Sequence, residues 1–476
     1  MWGCSRAVEP RIVQAGTWGN DVGEPNEGLA RLIREADERT GCSWAGLARR
    51  INELGAAQGI HLRYDYTAVN RWVKRGERPR SPVPGLIARA LSEKLSRRIE
   101  PGDFGMHDED SLAQRSLIYP ERESTTIETM AELGRADVHR RSIIQAPFAL
   151  AALSTSSRDW LIASLEATVT ERGMRRVGLA EVANIRSMFG IFQEMDVMRG
   201  GGHARTTLVE FMNTHVMPLL RGQHDRQVQL ALYEAASEQA YLIGWMAYDD
   251  GQHGLAQRYL IQALKLAEAA GSSALGAHIL AGLSDQSNLL GHSKEAVALA
   301  RAGQRGMKPG ESPACLADLL ILEARALSAL GEREQASRKV AQAEQVFGQV
   351  VTENEPEWAR FIDPAYFFGE AAHCFRDLGQ PELIERFAGE SLEAAQQQRR
   401  ARRGALSQAA LVTSQLTRGE VEAAANRAAQ VVELAAMVNS SRCLEAVTDL
   451  KGRFSRYAEV PEVKLFNQRA SALLGL

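Results

Sequence analysis

The chain has 476 residues, of which 45% are hydrophobic, 24% are charged and 6% are aromatic. This composition is typical of a folded protein with more than one domain, and its abundant Leu and Ala favour helices over sheets. No apolar run approaches the length of a membrane span and no leader-like segment opens the chain, so we expect a cytoplasmic protein without a membrane partner.

The net charge of −3 hides a strongly basic segment. Residues 43–98 contain twelve Lys and Arg against four Asp and Glu, a local charge of +8, so the rest of the chain sums to −11. Such a concentration of positive charge in an acidic protein favours contact with a polyanion. A solvated surface or an acidic protein partner is the alternative explanation.

The first predicted elements are a disordered tail over 1–26 and four helices over 27–100. Four glycines, two prolines and the absence of apolar periodicity indicate the tail. Ser43 is placed to cap the second helix, because a serine hydroxyl can accept from the first free amides. Gly76 is placed to end the third helix.

The third predicted helix has one apolar face and one polar, basic face. Val69, Trp72 and Val73 are spaced to lie on the core. The other positions and the turn that follows supply the expected DNA contacts, which are Thr67, Ala68, Asn70, Arg71, Lys74, Arg75, Arg78 and Arg80. Asn can pair with adenine and Arg with guanine, whereas Arg78 and Arg80 suit phosphate. The pattern predicts a helix-turn-helix domain with this helix in the major groove.

Residues 101–156 are predicted to form a connecting helical linker, and residues 157–476 an α-solenoid. Regular repeats start near residue 225, where glycines recur at intervals of 40 residues with one interval of 48, at Gly251, Gly291, Gly331, Gly379 and Gly419. Each glycine is predicted to be the turn within a helix pair. Three columns of mostly small residues, in phase with the glycines, would let the helices pack closely. The pattern resembles lengthened tetratricopeptide repeats.

Two groups of residues are candidates for ligand contacts in the concave groove of the solenoid. Tyr241, Trp245 and Tyr248 share one helical stripe, and they form either part of the core or a stacking wall for a ligand. His203 and Arg205 follow a triple-glycine turn over 200–202. A peptide, a small molecule and a protein all remain open as the occupant.

The sequence predicts no enzyme, no metal and no cofactor. Its ten histidines form no HExxH motif, and no phosphate-binding loop or nucleophile elbow occurs. The five cysteines are scattered without a CxxC pair, which argues against a disulfide framework or a zinc site.

Residues 67–72 (TAVNRW) and 75–79 (RGERP) resemble the recognition helix and following turn of Xre/Cro-type repressors. The resemblance implies a helix-turn-helix fold for residues 27–100 and double-stranded DNA as the partner. Two features depart from that family. The recognition helix is one residue longer before its glycine, and the connection over 52–65 is longer than the usual tight turn. The resemblance therefore does not determine which side chains reach bases.

Three further segments, 132–141 (ELGRADVHRR), 200–205 (GGGHAR) and 244–259 (beginning GWMAYD), resemble actinobacterial regulators that join such a domain to a tetratricopeptide-like domain. The resemblance covers most of the chain from about residue 27. Some of those regulators are negative regulators of sporulation and antibiotic production, which implies a repressor of development or secondary metabolism. The architecture is also distantly similar to that of the Rgg/PlcR/Rap group.

Together these observations predict an all-α, sequence-specific transcriptional regulator. We expect a homodimer, because one short recognition helix reads too few base pairs for genomic specificity. A signal bound in the solenoid would shift the relative placement of the two DNA-binding domains. The alternative is an interaction scaffold whose solenoid docks another protein and whose basic domain is only a DNA tether.

Overall fold

The computed structural model describes residues 25–56, 61–77, 79, 83–97, 99, 101–104, 106, 109–139, 141–144, 146–166, 179–200, 204–222 and 224–475. Within these ranges all regular structure is helical, as the sequence predicts. The chain divides into two compact units, unit 1 over residues 1–114 and unit 2 over residues 115–476. The predicted tail lies outside the described residues except for its last two positions.

Unit 1 is a small bundle of four helices: α1 (Glu27–Thr40), α2 (Trp44–Ala56), α3 (Tyr66–Lys74) and α4 (Val83–Leu95). Each helix buries one apolar stripe, and Leu47, Trp72 and Leu91 are almost fully enclosed in the shared core. Phe104 and Met106, in and just after a short 3-10 turn, also belong to this core. The packed part of unit 1 therefore extends past residue 100.

The helix ends of unit 1 follow from local chemistry. Ser43 Oγ accepts a hydrogen bond from the Gly46 amide at 3.2 Å, and Asp65 Oδ1 accepts one from Ala68 at 3.0 Å. Both bonds satisfy amides that have no partner within their helix. Gly76 follows α3 with a φ of 60°, a conformation that glycine adopts without steric cost. The predicted cap of α2 and the predicted end of α3 are confirmed.

Unit 2 begins with helices of unequal length: α5 (Glu109–Arg115, across the unit boundary), α6 (Glu123–His139), α7 (Arg141–Ile144), α8 (Leu150–Glu166), α9 (Leu179–Arg199), α10 (Arg205–Phe211) and α11 (Met217–Leu220). A π-helical turn joins α10 and α11. Helix pairs follow: α12 (Arg226–Asp249), α13 (His253–Ala270), α14 (Ser273–Leu289), α15 (Ser293–Gly306), α16 (Pro313–Ala329), α17 (Arg333–Phe347), α18 (Pro364–Asp377), α19 (Pro381–Gln397), α20 (Ala401–Thr417) and α21 (Val421–Ala435). The chain ends with α22 (Ser441–Arg453) and α23 (Pro461–Leu474).

Consecutive helices of unit 2 pack against each other in a solenoid-like arrangement. The five predicted turn glycines each lie between the two helices of one pair, with φ between 64° and 82°. All members of the three predicted columns are buried: Gly244, Ser284, Ala324, Ala372, Val412, Ala256, Ala296, Ala336, Ile384, Ala424, Ala263, Gly303, Ala343, Ser391 and Val431. The predicted helix pairs and their register are confirmed.

The predicted linker does not form a separate region. Helices α6 and α8 lie within residues 115–166 and pack against α13, and α8 also contacts α15. Residues from 115 onward are therefore part of unit 2. None of the helices in the described ranges combines the length and apolar content that a bilayer crossing needs.

The one long interval between the repeat glycines comes from an insertion between α17 and α18. Residues 348–363 form two short 3-10 turns instead of lengthening a helix. Glu355 ties the insertion to α16, because its carboxylate accepts from Ser312 Oγ at 2.5 Å and from the Ala314 amide at 3.1 Å. Trp358, only 3% exposed, enters the interior of the solenoid.

Candidate functional site

The position of α3 is fixed by its apolar stripe. Ala68, Val69, Trp72 and Val73 are all buried, and the Trp72 ring meets the Tyr64 ring edge-on at 5.0 Å. Ala68 was expected on the exposed face, and the structure corrects this assignment. The stripe includes two adjacent pairs of residues, so it is wide enough to cover Ala68 as well.

The long connection between α2 and α3 is anchored by one side chain. Asn52 Nδ2 donates to the Tyr64 carbonyl at 2.8 Å, and the Tyr64 amide donates to Asn52 Oδ1 at 3.0 Å. This pair of bonds replaces the backbone bonds of a tight turn and fixes where α3 begins. The long connection that the sequence indicates is thus held to α2 by a side chain.

The outer face of α3 carries most of the predicted DNA contacts. Thr67, Asn70, Arg71 and Lys74 have the i, i+3, i+4, i+7 spacing of one helical face. Thr67, Lys74 and Arg75 are exposed, whereas Asn70 and Arg71 are half-buried. Arg78 and Arg80 lie outside the described residues.

The two half-buried side chains are not arranged for base contacts in the free protein. Asn70 Oδ1 is buried without a hydrogen-bond partner, so in this arrangement Asn70 cannot offer both amide atoms to a base. Arg71 Nε lies 3.5 Å from Glu77 Oε2. Asn70 must therefore change its side-chain conformation before it can make a bidentate base contact, and Arg71 must release Glu77 if Nε is one of its two donors.

Uncompensated positive charge is concentrated at the C-terminal end of α3. Lys74 and Arg75 have no carboxylate partner among the residues that the structure describes. The sequence interpretation overlooked Tyr66, the first residue of α3, which is 53% exposed and stacks on Trp44 at 5.4 Å. Because Tyr66 directly precedes Thr67, the first predicted DNA contact, its position in the sequence could have marked it as a candidate contact.

Unit 2 contains a cavity of about 50 Å³, and its lining includes some of the residues predicted to contact a ligand. Tyr241 and Trp245 line it, together with Gln193, Asp196, Val197, Leu242, Phe361, Tyr366, Arg400, Arg402, Arg403, Leu406 and Arg442. Tyr248 is buried next to Trp245, and its hydroxyl donates to Asp285 Oδ2 at 3.0 Å. The predicted aromatic stripe therefore divides between the cavity wall and the core.

The other two predicted groove residues do not join this site. Arg205 is buried and forms an ion pair with Asp137, whose second oxygen accepts from the Tyr259 hydroxyl at 3.1 Å. Arg205 thus binds α6 to the solenoid. His203 lies outside the described residues.

Four arginines of the cavity wall were not predicted. Arg400 binds Asp363 at 2.7 Å, and Arg403 binds Glu370 at 2.9 Å. Arg402 bridges Asp196 at 2.9 Å and Asp249 at 2.8 Å, and the fourth is Arg442. The run RRARR at 399–403 is a sequence signal that would have pointed to three of the four.

Burial shifts the charge state of neighbouring groups. The His278 ring stacks on Trp358 at 4.9 Å and meets the Tyr241 ring at a tilt at 4.2 Å, and burial lowers the pKa of His278 to about 3, so the ring is neutral. Burial raises the pKa of Asp318 to about 8, although the Tyr366 hydroxyl donates to its carboxylate at 2.9 Å. Within the described ranges, no cluster of three His, Cys, Asp or Glu is arranged to hold a metal ion.

Comparison with known proteins bears on unit 1. A family model described as the SP15 N-terminal domain matches residues 29–107. These residues include nearly all of α1, the whole of α2, α3 and α4, and the core positions Phe104 and Met106. Unit 1 is therefore similar to that domain over its packed core. No curated protein matches the chain.

Proposed function

We propose that the protein is a sequence-specific DNA-binding transcriptional regulator in which α3 enters the major groove. The observation that carries this proposal is the outer face of α3, where Thr67, Lys74 and Arg75 are exposed and neither cation has a carboxylate partner within the described ranges. A helix that is held by one apolar face and open on a basic face suits insertion into a groove. The helix-turn-helix assignment of unit 1 and the Xre/Cro-type relationship are part of this proposal.

The roles along α3 follow from position. Thr67 and Asn70 lie toward its N-terminal end, the part of a recognition helix that contacts base edges. Lys74 and Arg75 lie at its C-terminal end and suit phosphates, which position the protein without specifying sequence. Arg78 and Arg80 extend the same phosphate-binding role beyond the helix.

Arg71 is assigned to guanine by comparing two energies. An ion pair near the surface, such as that with Glu77, contributes roughly 0–1 kcal/mol. A bidentate arginine contact with guanine contributes about 1–3 kcal/mol of discrimination. Release of Glu77 therefore costs less than the discrimination that a guanine contact supplies, and Glu77 holds Arg71 near its working position in the free protein.

The remaining parts of the proposal concern assembly and control. One recognition helix reads few base pairs, so a homodimer is expected to supply genomic specificity. The helix pairs of unit 2, tetratricopeptide-like in their glycine register, are assigned to dimerisation and to sensing a ligand or partner. The resemblance to actinobacterial regulators supports a repressor of development or secondary metabolism that acts in the cytoplasm.

In vitro selection tests this function directly. The full chain is incubated with a library of random duplexes, and enriched sequences are compared with shuffled versions by fluorescence anisotropy across a salt series. We expect a pseudo-palindromic motif whose affinity exceeds that of the shuffled duplex by roughly 10³-fold or more. Failure to enrich any motif would exclude sequence-specific recognition.

One observation favours the scaffold alternative. Because Asn70 is partly turned inward and Arg71 contacts Glu77, the groups most freely available are the two phosphate-binding cations. A protein that uses only such cations binds all duplexes alike, with a strong salt dependence. The same salt series separates the two functions, since a tether gives equal affinities for the selected and shuffled duplexes.

A further inference from the structure

Arg442 differs from the other arginines of the cavity wall. Arg400, Arg402 and Arg403 each bind at least one carboxylate directly. In the part of the chain that the structure describes, no hydrogen bond or ion pair joins Arg442 to another residue. It is only half-buried, and it lines two adjoining cavities.

Aromatic rings hold this side chain in place. The guanidinium carbon of Arg442 lies 5.7 Å from the centre of the Trp245 ring and 5.4 Å from that of Tyr248. Cation–π contacts at these distances position the group without using its N–H donors. A guanidinium has five such donors, which match a carboxylate in a two-pronged geometry. Arg442 lines both cavities, so an acceptor that enters either of them can reach its donors.

Both cavities are lined by several charged residues, and Arg442 is shared between them. The charged residues of the first cavity are Asp196, Arg400, Arg402, Arg403 and Arg442. The second cavity, of about 240 Å³, is lined by Arg325, Arg376, Arg442 and Arg453 against Glu445 and Asp449. Burial lowers the pKa of His373 in the same wall well below its usual range, so that residue is neutral. The other arginines of both walls are each bound to a carboxylate, and against the effect of burial the charges of Tyr248, Asp285 and Glu370 raise the pKa of Arg442. Among the described residues, Arg442 is therefore the cationic side chain of these walls whose N–H donors are not bound to a carboxylate.

The size and the wall of the first cavity restrict the ligand further. About 50 Å³ accommodates only a few water molecules, so the enclosed part of a ligand is small. Tyr241, Trp245 and Phe361 supply flat apolar surfaces beside Arg442. We propose that Arg442 and this cavity bind the carboxylate of a small organic ligand, whose planar apolar group lies against Trp245.

The site adjoins a junction between distant parts of unit 2. Ser440 Oγ donates to Asp249 Oδ1 at 2.9 Å, and Ser441 Oγ donates to the Asp249 carbonyl at 2.8 Å. Arg402 binds the same aspartate, so α12, α20 and the start of α22 meet at one residue. Ligand binding at Arg442 would change the stability of this junction. A regulatory consequence of that change rests on the proposed function, whereas binding itself does not.

Two matched pairs of probes test the site without DNA. Benzoate is compared with benzamide, and N-acetyl-phenylalanine with its amide, by ligand-observed NMR titration of the full chain. Each acid is expected to bind at least about tenfold more tightly than its amide, because only the acid forms charge-assisted hydrogen bonds. Tighter binding of benzoate supports a free small molecule. Tighter binding of N-acetyl-phenylalanine supports the same carboxylate presented by a peptide C-terminus.

Variants assign the effect to Arg442. R442Q should remove the preference for the acids, and R442K should keep part of it, since lysine retains the charge without the planar fork. R469Q, which removes an exposed arginine of α23, is the control and should bind as the parent does. Equal binding of acids and amides by the parent chain, or an unchanged preference in R442Q, would overturn the proposal. Neither outcome would bear on DNA binding.

Discussion

Arg50 in unit 1 and Arg325 in unit 2 each hold two carboxylates, but in different surroundings. Arg50 lies 2.9 Å from Glu53 and 2.8 Å from Glu93, and 38% of its side chain is exposed. Arg325 lies 2.6 Å from both Asp285 and Glu370 and is buried with them. The number of partners is the same, so solvent access is what distinguishes the two triads.

This difference indicates what the charges of each unit can do. Water and salt screen the pairs of unit 1, so its cations can exchange carboxylates for phosphates at little cost. Some pairs of unit 2, such as those of Arg325 and Arg402, are enclosed, and breaking one of them would leave an unpaired buried charge, whereas others, such as Arg469 with Glu433, are exposed. The exposed cations of unit 1 are therefore open to an exchange of partners, whereas the enclosed cations of unit 2 hold helices in place, with Arg442 as an exception.

The largest effect is expected from breaking the buried triad. R325M leaves Asp285 and Glu370 without their shared cation, which should lower the free energy of unfolding of unit 2 by about 3–5 kcal/mol. R50M should leave the stability of unit 1 nearly unchanged. Urea unfolding with hydrogen exchange read out separately in each unit measures both. Equal losses in the two variants would remove the distinction between the units.

Side-chain packing gives the second comparison, within unit 2. Ala336 belongs to a buried column of α17, whereas Ala341 on the same helix is exposed. A336W should cost about 1–3 kcal/mol or more, because a close-packed interface cannot admit the larger ring without moving a helix. A341W should have little effect on thermal unfolding. If A336W melts like the parent chain, close packing at this column does not limit the stability of unit 2.

Substitutions in α3 test whether the exposed cations of unit 1 contact bases or phosphates. R71A should weaken binding to the selected duplex by about 1–3 kcal/mol and binding to the shuffled duplex much less. K74A should weaken both alike and reduce the salt slope by about one, as expected for a phosphate contact. R39A, an exposed arginine of α1 paired with Glu35, is the charge-matched control. Anisotropy titrations give all values, and equal losses in R71A would reassign Arg71 to phosphate.

The smallest loss of stability is expected for alanine in place of a turn glycine, and it should be equal in the two units. Gly41 and Gly331 have φ of 63° and 77°, and an added methyl group would meet nothing within 4 Å at either position. G41A and G331A should each cost about 1 kcal/mol, because only the backbone conformation is strained. G389A, in the interior of α19, should instead stabilise by roughly 0.5–1 kcal/mol. A large difference between G41A and G331A in hydrogen exchange would contradict this local origin.

Local features of the sequence were sufficient to predict the helices and their pairing. Glycine spacing predicted the turns of unit 2, since a positive φ is a property of a single residue. The columns of small residues predicted the register because helix packing depends on positions three and four apart. The same periodicity identified Val69, Trp72 and Val73 as buried. Ala68 was misplaced because helical spacing does not give the width of the buried stripe.

The candidate sites were only partly predictable, because helical periodicity is local and does not specify contacts with other segments. The exposed face of α3 follows from its own period, but the contact of Arg71 with Glu77 depends on the turn after the helix. The cavity arginines could not be assigned from pattern, because Arg402 meets carboxylates 206 and 153 positions away. Nothing in a local period encodes which distant helices come together.

The sequence by itself determined that the chain is helical, where its repeats turn and which segment carries the positive charge. Those properties depend on backbone conformation, apolar period and composition, which are all local. Only the tertiary structure decided which charges are paired, that Arg205 is buried against Asp137, and that Arg442 faces a cavity without a carboxylate partner among the described residues. Those outcomes depend on solvent exclusion and on contacts between distant segments, and both exist only after the chain has packed.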